Sequence, residues 1–453
     1  MRHLDQRAVR RDLAAVELGQ GGGETSSQCG RADRGHRAPP SGSRSRPPDV
    51  LGDNTGLVTL TSARRAMVGS LTEHDRDVVV VGGGIMGTST AYHLARAGVT
   101  DVTLLEAGQL GGGSSAKPLG GVRAVFSDAA NIALGSRSLA AFERFGDELG
   151  VDIGLQQVGY LFVVRDAADV AAFEQSVALQ NTMGVASRIV TAAEAVRHCP
   201  YLAGSDLAAA VWSPRDGFAR PADVVAGYAA AATASGVEIA TQTAVTAIET
   251  APDGRARVHT ADAVYVTPAV ICTAGAWSPQ VAAMVGVDLP IQPLRRQIAF
   301  TPPLAARPRR VPFTIDYSTT AYFHGAEDGG LLLGWADPLQ APGFGRDVST
   351  DWHPFLREAL RHIAPEVADA PLVSGWAGLY EVTPDCNAII GESDPGFRFL
   401  YAAGFSGHGF LQGPAVGECV TDLYLGRPAA VDLSSFALGR FRQPAVRTEL
   451  AIV

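Results

Sequence analysis

Asp77-Val-Val-Val-Val-Gly82-Gly-Gly84-Ile85-Met86-Gly87, followed by a helix-forming stretch and then Asp101-Val-Thr-Leu-Leu-Glu106, decides the fold of this chain. An apolar run enters three glycines at G-x-G-x-x-G spacing, and a second apolar run ends in an acid. Gly82 permits a tight turn, Gly84 lets the backbone approach a pyrophosphate, and Gly87 lets the helix lie close on the strand. Glu106 stands 24 residues after Gly82, where the second strand would end beside a ribose hydroxyl. Glycine triplets also occur in ordinary turns. Strand, helix, strand and terminal acid together specify a dinucleotide-binding βαβ unit and hence an α/β fold.

Composition bounds the rest. The 453 residues are 46% hydrophobic and 18% charged, with a mean hydropathy of +0.10, so a large core is available to a globular chain of more than one domain. No apolar run is long enough to span a bilayer. Neither Met1-Arg-His-Leu-Asp-Gln-Arg nor Arg64-Arg65 leads into the apolar segment of a signal sequence, so a soluble, cytoplasmic protein is expected. Cys29, Cys199, Cys272, Cys386 and Cys419 are odd in number and widely spaced, which indicates neither a disulfide framework nor a zinc site, and no metal is expected.

Charge divides the chain into two materials. Residues 1–66 hold 11 arginines against 7 acids, while the remaining 387 residues carry 26 basic and 39 acidic groups. The first part is rich in Gly, Ser, Pro and Arg and cannot bury enough surface to offset its ordering entropy, so residues 1–75 are expected to be a disordered extension. A basic arm could bind nucleic acid. No aromatic side chain interleaves the arginines to stack on bases, and the body is acidic, so a solvated tail, or an over-long start with Met67 as initiator, is the expectation and no nucleic-acid partner is.

Beyond Glu106 and Ala107 the chain reads Gly108-Gln-Leu-Gly-Gly-Gly113-Ser114-Ser115-Ala-Lys117-Pro-Leu-Gly-Gly-Val-Arg123, a glycine-rich loop suited to passing close to a planar ring system. This segment resembles the flavin loop of the FAD-dependent amine oxidoreductases related to sarcosine oxidase, glycine oxidase and D-amino-acid oxidase. Val270-Ile-Cys-Thr-Ala274-Gly275-Ala-Trp277 resembles that family's later strand and turn. Gly378-Leu-Tyr380-Glu-Val-Thr383-Pro384-Asp385 resembles its flavin-proximal turn, and Gly404-Phe-Ser-Gly407-His408-Gly409-Phe410-Leu411 its closing loop. The similarity runs in register over about residues 76–442. It implies FAD as cofactor, with Ile85, Met86, Val245 and the glycines and neighbours named above around it.

Gly413-Pro414 then opens a helix through Val416, Cys419 and Leu423, with Pro414 in its first turn. A helix N-terminus aimed at a reduced flavin would stabilise the negative charge there by about 0.3–2 kcal/mol. A plain glycine-rich connection is the alternative.

The implied architecture is a discontinuous Rossmann-like FAD-binding domain, residues 76–156, 212–288 and 373–442, with a second α+β domain, residues 157–211 and 289–372. Val237-Glu-Ile-Ala and Ala244-Val-Thr-Ala-Ile-Glu read as strands of the first, with an antiparallel excursion around Arg255 to Tyr265. In the second, Gln292–Phe300, Ala321-Tyr-Phe-His and Leu331-Leu-Leu-Gly alternate apolar and polar side chains, as expected of a half-covered antiparallel sheet that roofs the ring system and binds substrate. No C-terminal module for folate is expected.

Arg123, matched by register, is the candidate clamp for a substrate carboxylate, because a guanidinium fork binds carboxylate bidentately; an ordinary surface arginine is the competing reading. Tyr322 and Tyr380 stand where related enzymes line the amine with aromatics, or are core tyrosines. His408 either faces the flavin edge or caps a loop. Lys117 is the only lysine in the chain, and a cation in the flavin loop could favour hydride acceptance or stabilise reduced oxygen; an accidental surface lysine is the alternative. Departures from the family matter too. Ser115-Ala116-Lys117 and Gly378 replace the histidine and cysteine that tether FAD in some relatives, so FAD is expected to be non-covalent, although Cys386 lies near. Leu411 stands where relatives acting on sarcosine place a lysine, so a larger substrate such as proline, dimethylglycine or an opine-like amino acid fits the pattern.

The expected function is FAD-dependent oxidation of a secondary or tertiary amine of an amino acid, by hydride transfer to flavin N5, giving an imine that hydrolyses. Oxidation of a primary amino acid or hydroxy acid, and a flavin-bearing subunit or scaffold working with a partner or separate electron acceptor, are the competing readings.

Overall fold

The computed structural model describes residues 71–117, 119–304, 310–442 and 449, so most of the arginine-rich extension lies outside the described residues. Helix α1 (Ile85–Arg96) connects β2 (Val78–Val81) to β3 (Val102–Leu105), as the glycine spacing predicts. The two strands pair in parallel, Val78 opposite Val102. With β9 (Glu238–Ala240), β13 (Ala269–Cys272), β19 (Ile389–Ser393) and β20 (Arg398–Ala403) they form a sheet of order β19-β20-β13-β2-β3-β9. All four valines of β2 are buried, which a parallel strand covered on both faces requires.

Helices α2 (Ala129–Leu149), α5 (Pro221–Ala234) and α9 (Gly409–Tyr424) surround α1, which packs on α5 and α9. Asp128 caps α2 by accepting the Asn131 N–H at 2.9 Å, and Gly150 ends it in the left-handed region at φ +69°. The sequence placed the start of α9 at Gly413; it starts at Gly409, with Pro414 in its interior. Proline removes one backbone bond there. The adjoining Ala415 N–H bonds Ser138 Oγ of α2 at 3.1 Å, and Gly413 and Gly417 let α9 approach Ile85 and Ser89 of α1 without a side chain between.

A second sheet has the order β18-β14-β17-β16-β15-β5-β7-β6. Its strands are β5 (Tyr160–Val164), β6 (Arg188–Val190), β7 (Ala209–Ser213), β14 (Gln292–Phe300), β15 (Phe313–Asp316), β16 (Ala321–Gly325), β17 (Leu331–Trp335) and β18 (Ser374–Val382). All its pairings are antiparallel except β5 with β15. It is covered on both faces, not one. Tyr160, Phe313, Ile315 and Tyr322 join the core shared with α1 and α9, while Leu161, Phe323, Leu331 and Leu333 pack with Leu356 and Leu360 of α7 (His353–Arg361) and Val367 of α8 (Pro365–Asp369). Residues on the opposite face of each strand therefore meet a second apolar layer, and the alternation in the sequence is between two apolar surroundings.

Two assignments move. Residues 374–382 fall in the nucleotide segment by sequence but form β18, paired along its length with β14. Residues 72–75, placed in the extension, form β1 (Thr72–Asp75), which pairs in parallel with β12 (Ala263–Thr267). That strand belongs to the antiparallel excursion, completed by β10 (Ala247–Thr250) and β11 (Ala256–His259), and gives the segment backbone partners that its composition did not suggest. The remaining short elements are β4 (Gly121–Val122), β8 (Gly217–Phe218), α3 (Ala167–Thr182), α4 (Ala192–His198) and α6 (Ser278–Ala283). Among the described residues no helix is long and apolar enough to cross a membrane.

Candidate active site

A cavity of about 780 Å³ runs from the glycine turn at β2 to the inner face of the eight-stranded sheet. At its first end Gly82, Gly84, Ile85 and Met86 form the wall. Gly82 has φ +108°, and a Cβ there would lie 2.5 Å from the Thr273 carbonyl oxygen. Gly87 is outside the lining; a Cβ on it would overlap the Gly82 carbonyl, so it sets the approach of α1 to β2, as the spacing predicts. Gly84 precedes α1 without a side-chain cap, and the Ile85 N–H bonds Ser115 Oγ at 2.9 Å. This leaves a helix N-terminus facing the cavity, the arrangement that accepts a phosphate.

Glu106 lies beside it. Its two oxygens accept the N–H of Gly83 and of Gly108, each at 2.7 Å, which fixes the carboxylate while Glu106 and Ala107 line the wall. Val245, Ala274, Gly275 and Trp277 close the same end, and the Trp277 ring packs against Gly113. Ser114 also lines the wall, and its Oγ is buried without a partner among the described residues. A glycine cradle, a helix N-terminus, a fixed acid and an orphaned hydroxyl fit a dinucleotide.

Further along, Lys117 and Gly378 face each other: a Cβ at Gly378 would lie 2.8 Å from the Lys117 Cβ. The position where some relatives carry a tethering cysteine therefore has no room for a side chain. Trp376 Nε1 donates to the Lys117 carbonyl at 2.5 Å and ties this loop to β18. Gly407, His408, Gly409 and Phe410 line the opposite wall, where α9 begins. Gly404 does not reach the cavity. It has φ +76°, and its missing side chain makes room for Thr383 and Ile291, so its role is in the turn.

The far wall brings Arg123, Tyr322 and Tyr380 together. The Tyr322 and Tyr380 hydroxyls share a hydrogen bond, and burial raises the pKa of both. Arg123 is 3% exposed, not a surface arginine. Its guanidinium donates to the Val125 carbonyl at 2.5 Å and lies 4.3 Å over the Phe126 ring. His408 is buried and held well below its usual pKa, first by burial and then by Arg123, so it is neutral. Its ring bonds the Phe405 backbone, which is the loop-capping alternative, while Nε2 has no partner among the described residues.

Among the lining residues not singled out from sequence, three stand beside the candidate substrate wall. Tyr160 lies stacked on Phe313 with its hydroxyl against Gly121. Arg296 of β14 lies 5.3 Å over the Tyr380 ring, its Nε buried without a partner. Glu381 accepts the backbone N–H groups of Gly404 and Phe405, while its Oε2 is unpartnered and burial pushes its carboxyl from 4.5 up to about 7. Period-two alternation in Gln292–Phe300 could have separated Arg296 from Arg295; nothing local marks Glu381. Because the folded protein holds the Glu381 proton more tightly than the unfolded chain, this group destabilises the fold progressively as pH rises from about 4.5 to about 7. Glu381→Gln should flatten that part of the urea midpoint against pH for the FAD-free protein. An unchanged slope would show that Glu381 ionises normally.

A nucleotide cradle that opens onto a wall of tyrosines and arginines defines the class as dinucleotide-dependent oxidoreductases. Residues 77–423 match the family described as FAD dependent oxidoreductase (DAO), and the chain belongs to it. The pyridine nucleotide-disulphide oxidoreductase family matches only residues 40–111. The chain is 28% identical over 375 residues to glycine oxidase of Geobacillus kaustophilus, covering 81% of this chain and 97% of that one. It is 26% identical to the mitochondrial dimethylglycine dehydrogenase of Mus musculus over 81% of this chain, spanning 44% of that protein. Among solved structures, L-proline dehydrogenase from P. horikoshii superposes with a TM-score of 0.77 at 30% identity, covering 83% of this chain and all of the other. The cofactor is FAD, and the chain is an FAD-dependent oxidoreductase.

Proposed function

We propose that the chain oxidises a secondary or tertiary amine of an amino acid. The observation that carries this reading is the wall where Arg123, Tyr322 and Tyr380 meet the His408 loop, next to the flavin loop. Arg123 binds the substrate carboxylate through its guanidinium fork. The tyrosine faces and the apolar neighbours Phe313 and Ile315 hold the alkylated nitrogen and exclude water. Bound FAD supplies a two-electron acceptor for the hydride on the carbon beside nitrogen, and the imine product hydrolyses in water. Positioning contributes most of the rate enhancement, and the neutral His408 does not compete for the substrate's charge.

For the cofactor, the backbone at Gly82, Gly84, Ile85 and Met86 with Ser114 and Ser115 takes the pyrophosphate, and Glu106 takes a ribose hydroxyl. Gly113, Val245, Ala274, Gly275 and Trp277 flank that part, while Gly378, Lys117 and Gly407 to Phe410 enclose the ring system. Lys117 places its charge there, and FAD is held without a covalent link, consistent with the closed space at Gly378. The names of the relatives, glycine oxidase, dimethylglycine dehydrogenase and L-proline dehydrogenase, support an amino-acid substrate.

Anaerobic mixing of the FAD-loaded protein with sarcosine, dimethylglycine and proline should bleach the visible flavin band, faster than glycine or a hydroxy acid does. Acid precipitation should leave FAD in the supernatant. Bleaching by glycine or a hydroxy acid alone, or by none of these, would overturn the reading.

A further inference from the structure

We infer that the amine oxidised here carries two acidic groups, one on each side of its nitrogen, and that Arg296 binds the second. The inference rests on the amine-oxidation reading and narrows its substrate class to N-carboxyalkyl amino acids. On the inner face of the eight-stranded sheet, register places Arg296, Ile298, Tyr322 and Tyr380 together: Arg296 pairs with Gly378 and Leu294 with Tyr380 across β14 and β18, while Tyr322 and Ile298 both pair with Gly334. Arg296 is the one cation that the strands of this sheet contribute to the cavity wall.

Nothing in the wall neutralises it. The two acids of the cavity lining are already held by backbone amides, Glu106 by Gly83 and Gly108, and Glu381 by Gly404 and Phe405. Among the described residues no carboxylate pairs with Arg296. Its Nη1 donates to the Arg295 carbonyl at 3.2 Å, and its Nε is buried with no partner among the described residues. Arg296 is half-buried on the cavity wall, and a cation there without a counter-charge offers a contact to an anionic group on the ligand.

Arg123 and Arg296 both line this cavity with Tyr380, and the Arg296 guanidinium lies 5.3 Å over the Tyr380 ring. An amine seated over Tyr322 and Tyr380 then shares the cavity with two cations. The first takes the α-carboxylate; the second takes an acid at the end of the N-substituent. An N-methyl amino acid reaches only one of them.

The test compares sarcosine with iminodiacetate, which differ by one carboxylate on the N-methyl carbon. The FAD-loaded wild type, Arg296→Met and Arg296→Lys are mixed anaerobically with each, and the concentration giving half-maximal flavin reduction is measured. Iminodiacetate should half-saturate the wild type at least about tenfold lower than sarcosine, as expected for a charge-assisted contact. Arg296→Met should erase that ratio and Arg296→Lys should keep part of it, with flavin content and melting temperature reporting on the fold. Should Arg296→Met fail to fold, the wild-type ratio and the Arg296→Lys ratio decide. Equal half-saturation, or a ratio that survives in Arg296→Met, overturns the inference and leaves amine oxidation standing. If neither these compounds nor proline or dimethylglycine reduces the bound flavin, the functional reading itself falls.

Discussion

Gly87→Val should purify without FAD. A side chain at residue 87 would overlap the Gly82 carbonyl and come within 2.8 Å of Thr273 Oγ1. Neither neighbour can yield cheaply. The first is backbone in the turn that approaches the pyrophosphate, and the second is fixed by bonds to the Val81 and Gly82 carbonyls at 3.0 and 3.1 Å. Helix α1 must therefore move off β2, which withdraws the Ile85 N–H from Ser115 and displaces the helix N-terminus. Overpacking of this kind typically costs about 1–3 kcal/mol in stability, but the cofactor site loses its geometry altogether. FAD affinity should fall by at least about 100-fold, equivalent to roughly 3 kcal/mol. Gly84→Ala is the control. Its Cβ meets only the Ser115 hydroxyl at 2.8 Å, a rotatable group, so this variant should fold and bind FAD more weakly than wild type but measurably. Titration of the FAD-free proteins by flavin fluorescence quenching reads both constants. A Gly87→Val protein that is yellow, with wild-type affinity, would show that the close approach of helix to strand is dispensable.

The parts legible in the sequence are those whose reasons are local. Glycine spacing, an apolar run on each side and a terminal acid all lie within residues 77–106, and the turn, helix and Glu106 contacts follow from them. What stayed illegible depends on partners distant along the chain. Pro414 inside a helix contradicts local preference until Ser138, on another helix, is seen to take the neighbouring Ala415 N–H. The eight-stranded sheet looks half-covered because its second apolar layer, Leu356, Leu360 and Val367, lies roughly 20 or more residues beyond β17, outside the strands whose alternation is read. Arg295 and Arg296 are chemically identical in the sequence. Alternation puts them on opposite faces of β14, and its pairing with β18 and β17 decides which one faces the cavity and which reaches the Asp347 carbonyl. Glu381 is distinguished by its burial and by the Gly404 and Phe405 amides, which lie more than 20 residues further along the chain.

Arg123→Ala should raise KM for an amino-acid substrate and lower kcat/KM by on the order of 100-fold, the loss expected when one partner of a buried charge pair is truncated. The alternative is that Arg123 is architectural. It reaches the Val125 carbonyl and stacks on Phe126 and Phe162, so its removal leaves a void in the core beside the cavity. The two roles separate in measurement. Loss of packing lowers the melting temperature and the FAD content and depresses kcat/KM for every amine alike. Loss of a clamp acts on the carboxylate, so the discriminating quantity is the ratio of kcat/KM for N-methylalanine to that for N-methylpropylamine, which has no acid. Arg123→Ala should collapse that ratio toward one. Arg123→Lys keeps the charge but not the planar fork, and should restore only part of it. Should the ratio persist in Arg123→Ala while stability falls, the carboxylate is held elsewhere on this wall, and Arg296, whose guanidinium lies over the Tyr380 ring, becomes the residue to examine for it.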